Sequence, residues 1–120
     1  MKENVLLDKS YSFFLRIVNL YKYLAQSKKA FILSKQLVRS GTSIGANIEE
    51  AIGGQSRKDF YAKINVAYKE ARETHYWLRI FRDTNYITQK QASSILEDCD
   101  ELLKIIGSII RTIKSKIPNS

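Results

Sequence analysis

Cysteine and histidine each occur once in the 120 residues, as Cys99 and His75, and proline, tryptophan and methionine are single as well. One thiol cannot close an intramolecular disulfide, so nothing in the chain requires an oxidising compartment. A zinc site of the usual kind takes about four Cys, His or carboxylate ligands in a fixed array. No such array is present, and neither metal nor cofactor is expected. Pro118 lies near the end, and Gly41, Gly45, Gly53, Gly54 and Gly107 leave long stretches free of helix breakers. No run of alternating β-branched residues is bounded by turn signals on both sides. Asp8, Lys9 and Arg16 interrupt the apolar stretch from Met1 to Leu20. It therefore reads as neither signal peptide nor membrane span, which needs about 20 apolar residues. A soluble, cytoplasmic protein without a membrane partner is the expectation.

What the chain does have is positive charge. Twenty Lys and Arg stand against twelve Asp and Glu, a formal net charge of +8. An excess of this size on one 13.9 kDa domain spanning residues 1–120 favours polyanionic partners, nucleic acid before membrane surface. The competing explanation is a basic surface that only confers solubility.

Apolar residues recur at helical spacing, and four helices are expected, over about 8–25, 30–52, 57–82 and 89–116. Tyr11, Phe14, Val18 and Tyr21 share one face of the first, with Phe13, Ile17, Leu20 and Leu24 beside it. The second ends at Gly53-Gly54 and carries Gly41 and Gly45 inside it, each costing about 1 kcal/mol relative to Ala. A bend or a close approach by another backbone would explain them. Ser56 and Asp59 begin the third helix and Thr88 with Gln91 the fourth, as capping boxes do. Phe60, Ile64, Ala67, Ala71, Leu78 and Phe81 form the third helix's core face. Heptad columns run through Ala92, Cys99, Ile106 and Ile113; Ile95, Leu102 and Ile109; and Leu96, Leu103, Ile110 and Ile117. Four such helices with short connections predict an all-α, antiparallel up-down-up-down four-helix bundle. Val66, Trp77 and Ile80 fall off the core face of the third helix, spare apolar surface that a second subunit would cover.

Catalytic constellations are missing. The residue three before His75 is Arg72, so the Glu-x-x-His pairs of di-metal bundles are absent. Gly41-Thr-Ser-Ile-Gly45 lacks the Lys-Ser/Thr and the preceding strand of a phosphate loop. Cys99 sits in a core column as a small hydrophobe, and His75 at the stripe's border reads as a partly buried histidine bonded to a neighbour. A non-enzymatic protein is expected.

The third helix carries a more distinctive pattern. Lys58, Tyr61, Asn65, Lys69, Arg72, Tyr76 and Arg79 follow one another at steps of three or four. Such a row neutralises phosphates, with tyrosine stacking on bases or bonding the backbone. Lys28, Lys29, Lys35 and Arg39 form a second basic group. Counted through Asp83, this helix has seven Lys/Arg against four Asp/Glu. Of these residues, Lys58, Lys69, Arg72 and Arg79 are the leading nucleic-acid contacts, against the bland reading of a solvated face. On the second helix Gln36, Arg39, Ser43, Asn47 and Glu50 line up over about four turns. With Glu70 and Glu73 they suggest a structural or inter-subunit polar network, or else a solvent-facing stripe.

Arg39-Ser-Gly-Thr-Ser-Ile-Gly-Ala-Asn-Ile-Glu-Glu-Ala51, followed by Gln55-Ser-Arg-Lys-Asp-Phe60, resembles the signature of the four-helix-bundle proteins encoded in 23S ribosomal RNA intervening sequences. Ala67-Tyr-Lys-Glu-Ala-Arg-Glu-Thr-His-Tyr-Trp-Leu78 and Phe13-Phe-Leu-Arg-Ile-Val-Asn-Leu-Tyr21 are similar to it too. The likeness spans nearly the whole chain. Two departures are Gly45, where many relatives have proline, and Glu49-Glu50-Ala51, where relatives often show Ala-Glu-Gly. The resemblance implies a homo-oligomer, a pentameric ring or barrel, that binds nucleic acid, RNA more than DNA. It also implies, as the alternative, a scaffold that docks a partner such as a reverse transcriptase, as the accessory protein of diversity-generating retroelements does.

Overall fold

The computed structural model describes residues 2–54 and 56–116. Four helices account for most of them: α1 (Lys2–Gln26), α2 (Phe31–Ile52), α3 (Arg57–Asp83) and α4 (Gln89–Ser115). Both expected N-caps form, the second as a full capping box and the first through the Ser56 side chain alone. The Ser56 side chain accepts a hydrogen bond from the Asp59 N–H at 3.1 Å. Thr88 Oγ1 accepts from the Gln91 N–H at 3.1 Å, while Gln91 Oε1 accepts from the Thr88 N–H at 2.9 Å. Each interaction satisfies N–H groups that a helix start leaves without an intrahelical partner. Between α3 and α4 the chain reverses through Asn85 at φ 67°, a left-handed conformation that asparagine tolerates better than most residues.

The first helix begins at Lys2, six residues before the expected Asp8. The reason is Leu6, which is fully buried and extends the inward row of Ser10, Phe13, Ile17 and Leu24 by one turn. Tyr11, by contrast, points into solvent at 62% exposure. Ile117 and Pro118 lie outside the described residues.

Cross-helix contacts fix the antiparallel order. Arg39 of α2 meets Glu70 and Glu73 of α3, while Glu50 meets Lys63 at 3.0 Å. On the α3–α4 side, Cys99 Sγ donates to the Ala71 carbonyl at 3.5 Å and His75 Nε2 lies 3.0 Å from Asp100. Between α1 and α4, Lys9 pairs with Glu101 at 3.0 Å and Arg16 with Asp98 at 2.5 Å. On the α2–α3 and α1–α4 seams rising numbers on one helix meet falling numbers on the other, and on the α3–α4 seam the same sense appears between His75 beside Asp100 and Tyr68 beside Gly107. The result is an up-down-up-down bundle measuring 49 × 24 × 22 Å. Each helix packs on its two neighbours, and the α1–α4 seam is the slightest.

The core runs the length of the bundle. Leu37, Ile44 and Ile48 of α2 join Ile64, Leu78 and Phe81 of α3 and Cys99, Leu102 and Ile106 of α4, all nearly or fully buried. Desolvation there, with nearby Asp100 and Asp98, pushes the Cys99 thiol up to about 12, so it stays protonated and unreactive. Among the described residues no helix is long and apolar enough to cross a membrane.

The two glycines inside α2 differ. A Cβ at Gly41 would stand 2.8 Å from Ile17 Cγ2, because α1 and α2 pack closely there through a side chain rather than a backbone. A Cβ at Gly45 would meet nothing within 4 Å. Gly41→Ala is therefore expected to destabilise by about 1–3 kcal/mol through overpacking. Gly45→Ala is expected to stabilise by up to about 1 kcal/mol through helix propensity. Urea midpoints of the two variants check the contrast.

Candidate nucleic-acid interface

The outward face of α3 is set by what its other faces do. Ile64, Ala67, Ala71, Thr74, Leu78 and Phe81 turn into the core. Lys63, Glu70 and Glu73 turn towards α2, where their partners are, and His75 turns towards α4. At 100° per residue, Lys58, Tyr61, Asn65, Lys69, Arg72, Tyr76 and Arg79 remain on the outside. Lys58, Lys69, Arg72, Tyr76 and Arg79 are exposed, and Tyr61 and Asn65 half-buried. Lys58, Lys69 and Arg72 make no ion pair among the described residues. Asn65 donates to the Tyr61 carbonyl at 2.8 Å. The Arg79 guanidinium lies 5.9 Å from the Tyr76 ring centroid.

Lys28, Lys29 and Lys35 are not brought into this row. Lys28 and Lys29 lie in the α1–α2 loop and Lys35 in the first turns of α2, at the opposite end of the bundle from Lys58. All three are exposed, and the Lys28 ammonium sits 5.8 Å from the Tyr23 ring centroid.

The polar residues of α2 divide into separate arrangements. Arg39 donates to Glu70 at 3.2 Å, to Glu73, and to Gln36 at 3.3 Å. Trp77 Nε1 donates to the same Glu73 carboxylate at 3.0 Å. This is a network between α2 and α3 of one chain. Ser43 and Asn47 do not join it, because they donate to carbonyls of their own helix, those of Arg39 at 2.9 Å and Ser43 at 2.7 Å. Glu50 pairs separately with Lys63. The deepest polar contact lies beneath the network: Thr74 Oγ1 donates to Ser40 Oγ at 2.9 Å, both side chains fully buried. Sequence reasoning passed over this pair, although Thr74 stands between Ala71 and Leu78 at core spacing.

Other features of the surface are occupied with structural tasks. Open grooves of about 300 and 220 Å³ follow the α1–α4 seam, lined by Arg16 and Gln91 in one and by Lys9, Asp98 and Glu101 in the other. Arg16, Lys9, Asp98 and Glu101 are the residues that bridge that seam. Among the described residues no three His, Cys, Asp or Glu groups are placed to hold a metal.

The family model described as 23S rRNA-intervening sequence protein matches residues 2–108. The chain belongs to that family. A solved structure from Bacteroides thetaiotaomicron, described as a protein of unknown function from the S23 ribosomal protein family, superimposes with a TM-score of 0.90. It is 56% identical over 92% of this chain and 99% of its own. No curated protein matches the chain significantly.

The Trp77 indole N–H, and after it Arg39, holds the Glu73 carboxyl below its ordinary value of 4.5. A lowered carboxylate pKa gives stability that is fully present above the ordinary value and is lost as pH falls through the lowered one. Glu73→Gln should therefore cost stability at pH 7, about 1 kcal/mol or less because a third of the side chain is exposed. The gap to wild type should shrink at pH 3. Urea midpoints at the two pH values measure it.

Proposed function

We infer that the protein is a non-enzymatic bundle that binds RNA through its phosphate backbone along the outer face of α3. The observation that carries this reading is the row of Lys58, Lys69 and Arg72, exposed and without ion pairs among the described residues while Glu70 and Glu73 of the same helix are engaged by α2. Tyr61 lies among them and offers stacking or a hydroxyl contact. The family's description refers to a ribosomal RNA insertion, which makes RNA the first polyanion to test. The same reading includes self-assembly. Leu15, Ile32 and Val66 are 48%, 79% and 42% exposed, large apolar side chains that a second copy would cover. A pentamer is the assembly implied by the family resemblance.

Fluorescence anisotropy with a labelled structured RNA and a matched DNA duplex, over a salt series, tests the binding. Wild type should hold RNA at 0.15 M salt with a steep salt slope. Alanine at Lys58, Lys69 and Arg72 together should lower that slope by about 0.7–0.9 for each phosphate no longer neutralised. Binding that vanishes by 0.15 M salt would instead leave a protein-docking scaffold, which Ile32 and its apolar neighbour Phe31 also suit. Light scattering tests assembly, with a mass near five times 13.9 kDa expected.

A further inference from the structure

Within the outer face of α3, the two ends have opposite electrostatic surroundings, and α4 makes the difference. His75 lies against Asp100, and a Cβ at Gly107 would stand 3.6 Å from Tyr68 Cε1. These two points fix the α3–α4 register. Carried on at 1.5 Å per residue, it sets Arg72 beside Lys104, and Tyr61 and Asn65 beside residues 110–114.

The second half of α4 is basic: Lys104, Arg111 and Lys114 are exposed and make no ion pair among the described residues. Its first half turns Glu97 and Asp100 to the α3 side, while Asp98 and Glu101 are taken up by Arg16 and Lys9 of α1. Tyr76 and Arg79 therefore share their end of the seam with Glu97 and Asp100, and with Asp83 one turn beyond Arg79. The acids of the other end are turned away. Glu50 pairs with Lys63 on the α2 side, and Asp59 lies against the α2–α3 connection, its Cβ 3.7 Å from where a Cβ of Gly54 would stand.

Gly107 shapes the basic end. It is buried, and its missing side chain leaves room for Arg111 to fold back, with Nη1 3.4 Å from the position a Cβ would take. The guanidinium thus reaches into the α3–α4 groove beside Tyr68, one turn from Asn65 and two from Tyr61.

Resting on the RNA-binding reading above, we propose that the footprint is a two-helix clamp at one end of the α3–α4 seam, in which Lys104 and Arg111 of α4 face Lys58, Lys69 and Arg72 of α3 across one RNA phosphate backbone. Two antiparallel rows of cations about 10 Å apart hold a polyanion from both sides, as a single row cannot. Arg79 and Tyr76 lie outside the footprint, because Glu97 and Asp100 of α4 and Asp83 of α3 repel phosphate there.

The test measures a labelled structured RNA by anisotropy between 0.05 and 0.3 M salt with wild type, Lys104→Gln/Arg111→Gln and Arg79→Gln. Each neutralised phosphate is worth about fivefold in affinity at 0.15 M salt, from a slope change of about 0.7–0.9. The α4 double variant should bind roughly 20-fold more weakly with a slope lower by about 1.5. Arg79→Gln should change binding by less than about twofold. Helical circular dichroism reports folding of each variant, and Arg111→Lys, which keeps the charge, should recover most of the affinity when paired with native Lys104. Wild-type binding with an indifferent double variant, or with Arg79→Gln the weaker binder, would overturn the clamp and leave RNA binding standing. No salt-resistant binding by wild type would overturn both. An equal drop for an acidic polypeptide probe such as polyglutamate would show a general anion site and also overturn the assignment to RNA.

Discussion

The buried hydroxyl pair of Ser40 and Thr74 anchors the seam on which the outer surface depends. Two hydroxyls with no exposure are tolerated because each lies within hydrogen-bond reach of a carbonyl of its own helix, Leu37 for Ser40 and Glu70 for Thr74, as well as of the other. A slide of α3 along α2 would break the bond between them, a loss of about 0.5–1.5 kcal/mol, while each hydroxyl kept the carbonyl of its own helix. Just outside, Arg39 reaches Glu70 and Glu73, and Trp77 closes on the same carboxylate. The buried contact sets the register, and the outer network absorbs two of the acids on α3. What faces solvent on that helix is then basic by subtraction. The +8 of the whole chain is far less informative than this partition, since net charge alone speaks to solubility and non-specific attraction.

Much of this was legible in the sequence where the determining interaction is local. Ser56 and Thr88 start their helices through bonds spanning three residues, so the signal and the structure occupy the same short segment. The heptad columns of α4 likewise identified Ala92, Cys99, Leu102 and Ile106 as interior. Leu6 was missed because its burial comes from neighbouring helices, and five polar or charged residues in the first nine obscure its place in the stripe. Ser34, Ser40 and Thr74 were missed for a related reason. Their residue types suggest solvent, whereas their positions continue the core period. Periodicity was the better guide, and it outranks polarity whenever a hydroxyl can bond within its own helix.

The outward row on α3 was also legible, because one helix's faces follow from 100° steps. Which residues of α2 and α4 adjoin it was not, since that depends on register between helices. Arg39, grouped by composition with Lys28, Lys29 and Lys35, turned out to serve Glu70 and Glu73. Lys104 and Arg111 carried no sequence signal beyond their charge. Gly107 was the only hint, a small residue inside an otherwise bulky helix, and its meaning required the ring of Tyr68 and the guanidinium of Arg111 beside it.

Helix electrostatics give the basic end a further character. The first turn of α3 holds Arg57 and Lys58 against a single acid, Asp59, although the positive end of the helix dipole disfavours cations there by about 0.3–1 kcal/mol each. Lys114 in the last turn of α4 is favourably placed against the negative end of its own helix, but it crowds the same end of the bundle. Nothing in the packing of the core requires Arg57 or Lys58, since both side chains are exposed and neither has an ion-pair partner among the described residues. A local rule is broken here without a compensating contact inside the chain, whereas at the opposite end Arg82 and Asp83 pair directly. Such breaches concentrate where a surface is shaped by something outside the fold. A phosphate backbone at this end would relieve the repulsion among the cations and complement the exposed N–H groups of the first α3 turn. The same arrangement that weakens the free bundle would thus favour one bound to phosphate.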